Sequence, residues 1–215
     1  MSLKINEIFY SIQGESSYSG RPCVFIRLAG CNLRCSYCDT QYAYDAGEEM
    51  YIADVLDKIS GYNCRLVEIT GGEPLLQEET PELIRHLLNN DYKVLLETNG
   101  TRDISIVDER CIRIMDIKCP SSGEQECNYL ENLKRIGVND ELKFVIADRA
   151  DYEYAKKILD ITRRTSAGSP TVHFSPCFGK IDLKKLAGWI LEDALDVRLH
   201  LQLHKIIWDP AEKGV

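Results

Sequence analysis

Short apolar runs alternate along the chain with stretches in which apolar residues recur at helical spacing. Runs that are mostly continuous in hydrophobicity are typical of strands buried on both faces of a parallel sheet. The sequence predicts strands at 23–29, 65–70, 93–98, 111–118, 142–147, 171–175 and 198–204. It predicts helices around Ile52 to Ile59, Leu83 to Leu88 with Thr80 as N-cap, Ala155 to Thr162, and Leu183 to Leu191. The alternation indicates an α/β fold with a mostly parallel sheet, either open or curled into a barrel.

The composition is that of an ordinary globular protein, with 44% apolar and 28% charged residues. A chain of 215 residues is long enough for one well-buried α/β domain, so we expect a single domain over residues 1–215. The net charge of −8 disfavours a broad basic face, and therefore a nucleic-acid partner. No apolar stretch approaches the ~20 residues that a membrane span needs. We therefore expect a cytoplasmic protein with no membrane partner.

Cysteines supply the first chemical signal. Cys31, Cys35 and Cys38 have the spacing C-x3-C-x2-C, which suits a four-iron cluster with one iron left open. A closed structural zinc site takes four ligands, and no second cysteine or histidine pair of the zinc-binding kind follows. The other six cysteines (Cys23, Cys64, Cys111, Cys119, Cys127, Cys177) are expected to be small buried hydrophobes. A second cluster on the last four is a weaker alternative, because Cys111 lies in a predicted buried strand.

Three polar motifs follow predicted strands. They are residues 70–74 (Thr-Gly-Gly-Glu-Pro), 97–100 (Glu-Thr-Asn-Gly) and 116–118 (Asp-Ile-Lys). Each glycine pair or Asn-Gly step alone is explained by an ordinary turn. Ligands of parallel α/β sheets bind outside the carboxyl ends of strands, so together the motifs predict a ligand site there. Glu73 is able to accept a hydrogen bond from an ammonium group.

The cysteine motif, with Tyr37 before its third cysteine and residues 70–74 after it, resembles the radical S-adenosylmethionine superfamily. The resemblance implies a partial (β/α)6 barrel and a [4Fe-4S] cluster on Cys31, Cys35 and Cys38. It also implies that the open iron chelates S-adenosylmethionine, whose amino end is held by residues 71–73.

A narrower resemblance covers residues 7–16, 20–33, 38–40 and 201–205, which are similar to the 7-carboxy-7-deazaguanine synthase family. It implies conversion of 6-carboxy-5,6,7,8-tetrahydropterin to 7-carboxy-7-deazaguanine and ammonia, a step toward queuosine-type 7-deazapurines. Such chemistry begins with hydrogen abstraction from C6 of the pterin by a 5′-deoxyadenosyl radical. The resemblance also implies Mg²⁺, a flavodoxin- or ferredoxin-type electron donor, and a homodimer.

The same resemblance assigns site residues. For the substrate it implies Ile12, Gln13, Gly14, Glu15, Arg27, Thr70 and Pro210, and for Mg²⁺ it implies Thr40. For S-adenosylmethionine it implies Tyr37, Cys38, Asp39, Gly72, Glu73, Asp116, Ile117, Lys118, Ser175, Pro176, Cys177 and Phe178. Asp116 and Ser175 depart from one common family variant, and the chain continues for five residues beyond Pro210.

The residues by themselves leave alternatives open. A charge inside a strand needs a partner, so Arg27 either grips a substrate carboxylate with its fork or points to the surface. Gln13 and Glu15 equally fit a polar turn, and Asp39 and Thr40 a helix cap. Two rival functions remain: a glycyl-radical-enzyme activase, which has the same cysteine spacing but acts on a protein, and a zinc-stabilised binding module.

Overall fold

The computed structural model describes residues 1–215 and contains one open sheet of nine strands. The strands are β1 (Ser2–Ile12), β2 (Pro22–Leu28), β3 (Glu48–Tyr51), β4 (Leu66–Gly71), β5 (Lys93–Thr98), β6 (Ile112–Ile117), β7 (Glu141–Ile146), β8 (Thr171–Pro176) and β9 (Arg198–Leu199). The helices are α1 (Ile52–Ser60), α2 (Thr80–Asn89), α3 (Arg149–Thr165), α4 (Leu183–Glu192) and α5 (His204–Ile207). The strand order is β3-β1-β2-β4-β5-β6-β7-β8-β9.

Parallel pairing runs without interruption from β2 through β4, β5, β6, β7 and β8 to the short β9. Only β1 is antiparallel to its neighbours, β2 and β3. The predicted α/β class, with six principal parallel strands that do not close, is therefore confirmed. The connections from β5 to β6 and from β6 to β7 contain 3₁₀ turns in place of α-helices, so the βα repeat is incomplete.

The hydrophobic core lies between the sheet and the longer helices, whose predicted apolar stripes are mostly buried. Leu83, Ile84 and Leu87 of α2 are fully buried. The expectation for α4 holds only in part, because Leu183 and Leu191 are exposed. Thr80 is the first residue of α2 and not its cap, since its hydroxyl donates to the Pro74 carbonyl at 2.6 Å.

Several sequence expectations differ from the structure. β1 and β3 were not predicted, and the strand expected over 198–204 is reduced to β9, followed by α5. Four of the six remaining cysteines are buried as expected, but Cys64 is half-buried and Cys127 is exposed. No helix has the length and apolarity to cross a membrane.

The inner face of the sheet is polar toward the carboxyl ends of its strands. Side chains two residues apart share a face of a strand, and such pairs are polar here, as with Glu68 and Thr70 on β4 or Glu141 and Lys143 on β7. The strands are therefore not apolar on both faces. The inward polar positions determine where a ligand can bind.

Candidate active site

A cavity of about 550 Å³ opens at the carboxyl ends of the parallel strands. Its walls come from the loop after β1, the cluster loop (residues 31–38), the ends of β2 and β4 to β8, and the C-terminal segment (residues 200–215). The sequence-predicted residues that line it are Ile12, Gln13, Gly14, Glu15, Arg27, Cys31, Cys35, Tyr37, Cys38, Asp39, Thr40, Thr70, Gly72, Asp116, Lys118, Ser175, Pro176, Cys177, Phe178 and Pro210. Residues that are far apart in sequence thus share one chamber.

Two predicted ligand residues, Glu73 and Ile117, do not line the cavity. Glu73 is fully buried, and its carboxylate accepts from the Thr98 hydroxyl at 2.8 Å and from the backbone N–H groups of Leu75 and Asn99. The side chain of Ile117 packs in the hydrophobic core. Its oxygens hold the strand-end turns in place, and its contact with the amino end of a ligand stays a prediction.

The cluster loop presents three free thiols to the cavity. Arg34 braces the loop, because its guanidinium donates to the carbonyls of Cys31 at 2.8 Å and Leu33 at 2.7 Å. Burial raises the pKa of Cys35 to about 11. A bound metal favours the thiolate over the thiol.

The donor set of the loop fits a polynuclear cluster better than a single ion. Nowhere in the chain do three or more His, Cys, Asp or Glu side chains converge on one ion position. Three thiols that share a chamber without converging match thiolates that each bind a different iron of a cluster. The zinc-module alternative lacks such a convergence. Of the cysteines in the second-cluster alternative, Cys177 lines the cavity, Cys111 and Cys119 are buried outside it, and Cys127 is exposed.

Two glycines at the end of β4, Gly71 and Gly72, lie beside the cluster loop. A Cβ added at Gly72 would lie 2.0 Å from the Gly30 carbonyl oxygen and 2.9 Å from the Cβ of Cys31. Gly71 has φ of +134°, a conformation that favours glycine. These glycines let the end of β4 lie directly against the cluster loop.

Among the buried polar atoms on the cavity wall that have no hydrogen-bond partner within the protein are the Tyr37 hydroxyl and Oδ1 of Asp116. The other Asp116 oxygen accepts from Lys118 Nζ at 2.8 Å. Buried polar groups normally have a hydrogen-bond partner. Their presence beside the cluster loop fits a polar ligand such as S-adenosylmethionine.

Asp39 and Thr40 follow the cluster loop and face the C-terminal segment. The Thr40 hydroxyl donates to Asp39 Oδ1 at 3.0 Å, which leaves its lone pairs free for a cation. Lys205 of α5 donates to the other Asp39 oxygen at 2.5 Å. Burial opposes ionisation of Asp39, but the Lys205 ammonium holds the pKa of that carboxyl below its usual range. Oxygen ligands of this kind fit Mg²⁺.

Arg27 lies near the end of β2 and lines the cavity. Its Nε donates to Glu7 Oε1 at 2.7 Å, and the Tyr42 hydroxyl donates to the same oxygen at 2.9 Å. The terminal nitrogens of the guanidinium make no hydrogen bond within the protein. Arg27 therefore does not point to the surface, and Glu7 and Tyr42 fix its orientation.

Glu15, Glu68, Glu97 and Lys143 form what we call the floor of the cavity. The buried Lys143 ammonium contacts Glu15 Oε2 and donates to Glu97 Oε1 at 2.7 Å. Burial opposes ionisation of Glu15, but the Lys143 ammonium and the hydrogen bond from Gln202 hold its pKa well below its usual range. Burial and the nearby carboxylates of Glu97 and Glu15 raise the pKa of Glu68 well above its usual range. The floor thus combines ionised and neutral acids around one cation.

Gln13 joins the floor through its side-chain amide. The amide nitrogen donates to Glu68 Oε2, and the amide oxygen accepts from the Glu15 backbone N–H at 2.9 Å. Both ends of the amide are therefore bonded to the protein. Gln13 holds the loop after β1 in shape.

The C-terminal segment closes the chamber. Gln202 Nε2 donates to Glu15 Oε1 at 2.8 Å, and the backbone N–H of Leu203 donates to the Gly14 carbonyl at 3.0 Å. A Cβ added at Gly14 would lie 2.4 Å from His204 Nδ1. Gly14 is needed because two segments from opposite ends of the sequence meet there.

Five residues of the site have contacts that the sequence pattern does not predict: Glu7, Tyr42, Glu68, Lys143 and Lys205. A signal existed for Glu68 and Lys143, because each is a charge inside an apolar strand run, two residues from another polar position. The contacts of Glu7, Tyr42 and Lys205 carry no such signal, because their partners lie on distant segments.

Comparison with known proteins gives relatives over the whole chain. The Radical SAM superfamily model matches residues 25–120. A 7-carboxy-7-deazaguanine synthase of Koribacter versatilis is 45% identical over 99% of this chain and 100% of its own length. That of Chlorobaculum tepidum is 46% identical over 99% of this chain and 97% of its own length.

Solved structures agree. The crystal structure of QueE from Escherichia coli matches with a TM-score of 0.78 at 25% identity, covering 94% of each chain. Streptococcus suis SuiB bound to S-adenosylmethionine matches in fold, with a TM-score of 0.58 at 12% identity over 80% of this chain and 48% of that one. Both resemblances drawn from the sequence are confirmed: the chain belongs to the 7-carboxy-7-deazaguanine synthase family of the Radical SAM superfamily.

Proposed function

We propose that this enzyme converts 6-carboxy-5,6,7,8-tetrahydropterin to 7-carboxy-7-deazaguanine and ammonia, with a [4Fe-4S] cluster, S-adenosylmethionine and Mg²⁺. The observation that carries the proposal is the single 550 Å³ cavity in which three thiols face a floor of carboxyl groups and a lysine. When bound, the cluster and S-adenosylmethionine supply hydrogen-atom abstraction. Orientation of the substrate and exclusion of side reactions belong to the protein.

Cys31, Cys35 and Cys38 are proposed to hold the cluster. Tyr37 and Asp116 are proposed to bind S-adenosylmethionine, and their unpartnered oxygens support this. The other S-adenosylmethionine contacts proposed from the family pattern are Asp39, Gly72, Lys118, Ser175, Pro176, Cys177 and Phe178, all of which line the same cavity. Any contact by Ile117 would come from its backbone.

The pterin is proposed to lie between Arg27 and the floor. The free end of the Arg27 fork matches a carboxylate, and the ionised Glu15 accepts from ring N–H groups. Ile12, Gly14, Thr70 and the region of Pro210 complete the walls. Thr40 is proposed to bind Mg²⁺ with its free lone pairs, and Asp39, held by Lys205, keeps the hydroxyl turned for that purpose.

The decisive experiment is anaerobic turnover by reconstituted enzyme. Protein with its cluster, S-adenosylmethionine, dithionite, Mg²⁺ and the carboxytetrahydropterin should yield 7-carboxy-7-deazaguanine, 5′-deoxyadenosine and ammonia, measured by mass spectrometry. Cys35→Ala should lose both the visible absorbance of the cluster and the product. The matched control is Cys64→Ala, because Cys64 lies outside the cavity at the start of β4 and should leave both unchanged.

Full reconstitution without any deazaguanine product would refute the proposal. 5′-Deoxyadenosine formed only with a protein substrate would favour the activase alternative. Colourless protein that retains stoichiometric zinc would favour the binding module.

Three further properties are proposed with the function. Residues 1–215 form one domain, supported by the single continuous sheet. The electron donor is a flavodoxin- or ferredoxin-type protein. The location is the cytoplasm, supported by nine free cysteines, since reducing compartments keep thiols free. The enzyme is a homodimer, which sedimentation equilibrium would test.

A further inference from the structure

A second, smaller cavity lies directly behind the floor. Its volume is about 10 Å³, close to the space that a single water occupies. Its lining is polar except for Ile114 and consists of Glu15, Ser16, Glu68, Glu97, Ile114, Lys143, His173, Ser175 and His200. Five of these residues also line the large cavity, so the two spaces share a wall.

Glu15 Oε2 contacts the Lys143 ammonium. Three other atoms of this lining are buried and have no partner in the protein: Nδ1 of His173, Nδ1 of His200 and Oγ of Ser175. All three residues are more than nine-tenths buried, with exposures of 2%, 9% and 2%. Unpartnered groups at such depth are rare, and an internal water is the usual partner. The three atoms belong to residues around one void.

The partner of Nε2 in each histidine ring indicates which ring nitrogen carries the proton. His200 Nε2 lies 3.1 Å from the Ser16 carbonyl, which only accepts, so Nε2 carries the proton. Burial lowers the pKa of His200 and keeps the ring neutral, which leaves Nδ1 as an acceptor. His173 Nε2 lies 2.8 Å from Glu141 Oε2. Burial opposes ionisation of Glu141, but hydrogen bonds from His173 and Ser17 hold its pKa below its usual range. The Glu141 carboxylate only accepts, so Nε2 of His173 is also the donor, and Nδ1 accepts when Nε2 carries the one proton of the ring.

The void thus offers two acceptors and one hydroxyl that is free to donate. A water molecule donates twice and accepts, so it satisfies all three groups at once. We propose that the small cavity is a binding site for one water molecule, which donates to Nδ1 of His173 and of His200 and accepts from Ser175 Oγ.

This water would secure the C-terminal segment from inside. His200 begins that segment and is otherwise held by its backbone N–H to the Phe174 carbonyl at 3.0 Å and by its ring to Ser16. Two and four residues later, Gln202 and His204 wall the large cavity. The water also fixes the Ser175 hydroxyl as a donor toward the void, so Ser175 presents an acceptor to the large cavity. The inference is independent of which substrate the large cavity takes.

The first test is a high-resolution crystal structure of the holoenzyme. Density for one water within hydrogen-bond distance of all three atoms is expected, and a dry void would overturn the proposal. The second is ¹⁵N NMR of histidine-labelled holoenzyme. Both rings should carry a proton on Nε2 and show a hydrogen-bonded Nδ1 without one. A proton on Nδ1 of either ring, or a free Nδ1, would contradict the assignment.

The third test is the residence time of the water, measured by ¹⁷O magnetic relaxation dispersion. Ser175→Ala removes one of three partners and should shorten the residence time about tenfold. Ser60→Ala is the matched control, because its hydroxyl bonds only the Asp57 carbonyl on α1. An unchanged residence time in Ser175→Ala would overturn the role of Ser175. If that variant does not fold, the crystal and NMR measurements on the natural chain decide.

Discussion

Replacing Lys143 by methionine tests the electrostatic design of the floor. The ammonium lies between Glu15 and Glu97, and it is 8% exposed. Methionine preserves much of the volume and removes the charge, so two half-buried carboxylates lose their cation and face the nearby Glu68. Substrate affinity should fall as well, because Glu15 loses the partner that keeps it ionised and in place.

The size of the effect follows from burial. Removing one partner of a buried ion pair destabilises a protein by about 3–5 kcal/mol. For a chain of this length each kcal/mol corresponds to roughly 2–4 °C, so the melting temperature should fall by roughly 6–20 °C. Lys134→Met is the matched control. Lys134 also forms a lysine–glutamate pair, with Glu131 at 2.7 Å, but both side chains are exposed and no measurable change is expected.

The pH dependence gives the sharper assay. In the natural chain Glu15 has a depressed pKa, so its contribution to stability is complete above its unfolded-state pKa and is lost as pH falls through the folded value. In Lys143→Met, no ammonium group offsets the burial of Glu15, and the pKa of Glu15 rises above its unfolded-state value. Glu15 then takes up a proton on mild acidification, which relieves the repulsion. Anaerobic melting at pH 8 and pH 5.5 should show a smaller deficit at pH 5.5. A deficit that is equal at both pH values, or absent, would refute this reasoning.

Three other substitutions test separate parts of the architecture. Gly72→Ala should displace the cluster loop, because the new Cβ would lie 2.0 Å from the carbonyl oxygen of Gly30, which directly precedes that loop. Equilibrium dialysis should show that S-adenosylmethionine binding is lost, and binding within twofold of the natural enzyme would contradict the close approach. Gly14→Ala should push His204 outward and raise the KM for the pterin at least tenfold while cluster absorbance is retained, and an unchanged KM would argue against closure by the C-terminal segment. Asp140→Ala breaks the buried pair with Arg113, far from the thiols. It should destabilise the protein by about 3–5 kcal/mol in denaturant titrations and leave kcat unchanged at low temperature. Stability equal to that of the natural chain would show that this pair is dispensable.

The fold could be predicted because the outer faces of the strands and the helical stripes are both apolar. β4 to β8 and α1 to α4 follow from that pattern to within a residue or two at most ends. The pattern of continuous apolar runs does not predict β1, since its apolar positions, such as Leu3 and Ile5, alternate with polar residues. β9 was overestimated because Leu201 and Leu203 continue the alternation of Leu199 into a segment that bends away to cap the cavity.

The candidate site was predictable where residues lie on one short segment or at a strand end. Cys31, Cys35 and Cys38 are of this kind. The residues that hold the site residues in place were not predictable from the sequence. Lys205 contacts Asp39, for example, only because the fold brings two distant segments together. Glu73 shows the converse: a strand-end motif suggested contact with a ligand, while the structure uses the carboxylate to satisfy backbone N–H groups of neighbouring turns.

The meeting of both chain ends at the cavity affects how the protein is made. Glu15 and Gln202, bonded at 2.8 Å, are 187 residues apart, so the chamber lacks a wall until translation has passed residue 202. At elongation rates of about 5–20 residues per second, the thiols of the cluster loop precede that wall by roughly ten to thirty seconds. During synthesis they are therefore open to oxidants and to stray metals. For recombinant production, an affinity tag belongs at the N-terminus, since residues 211–215 themselves line the chamber.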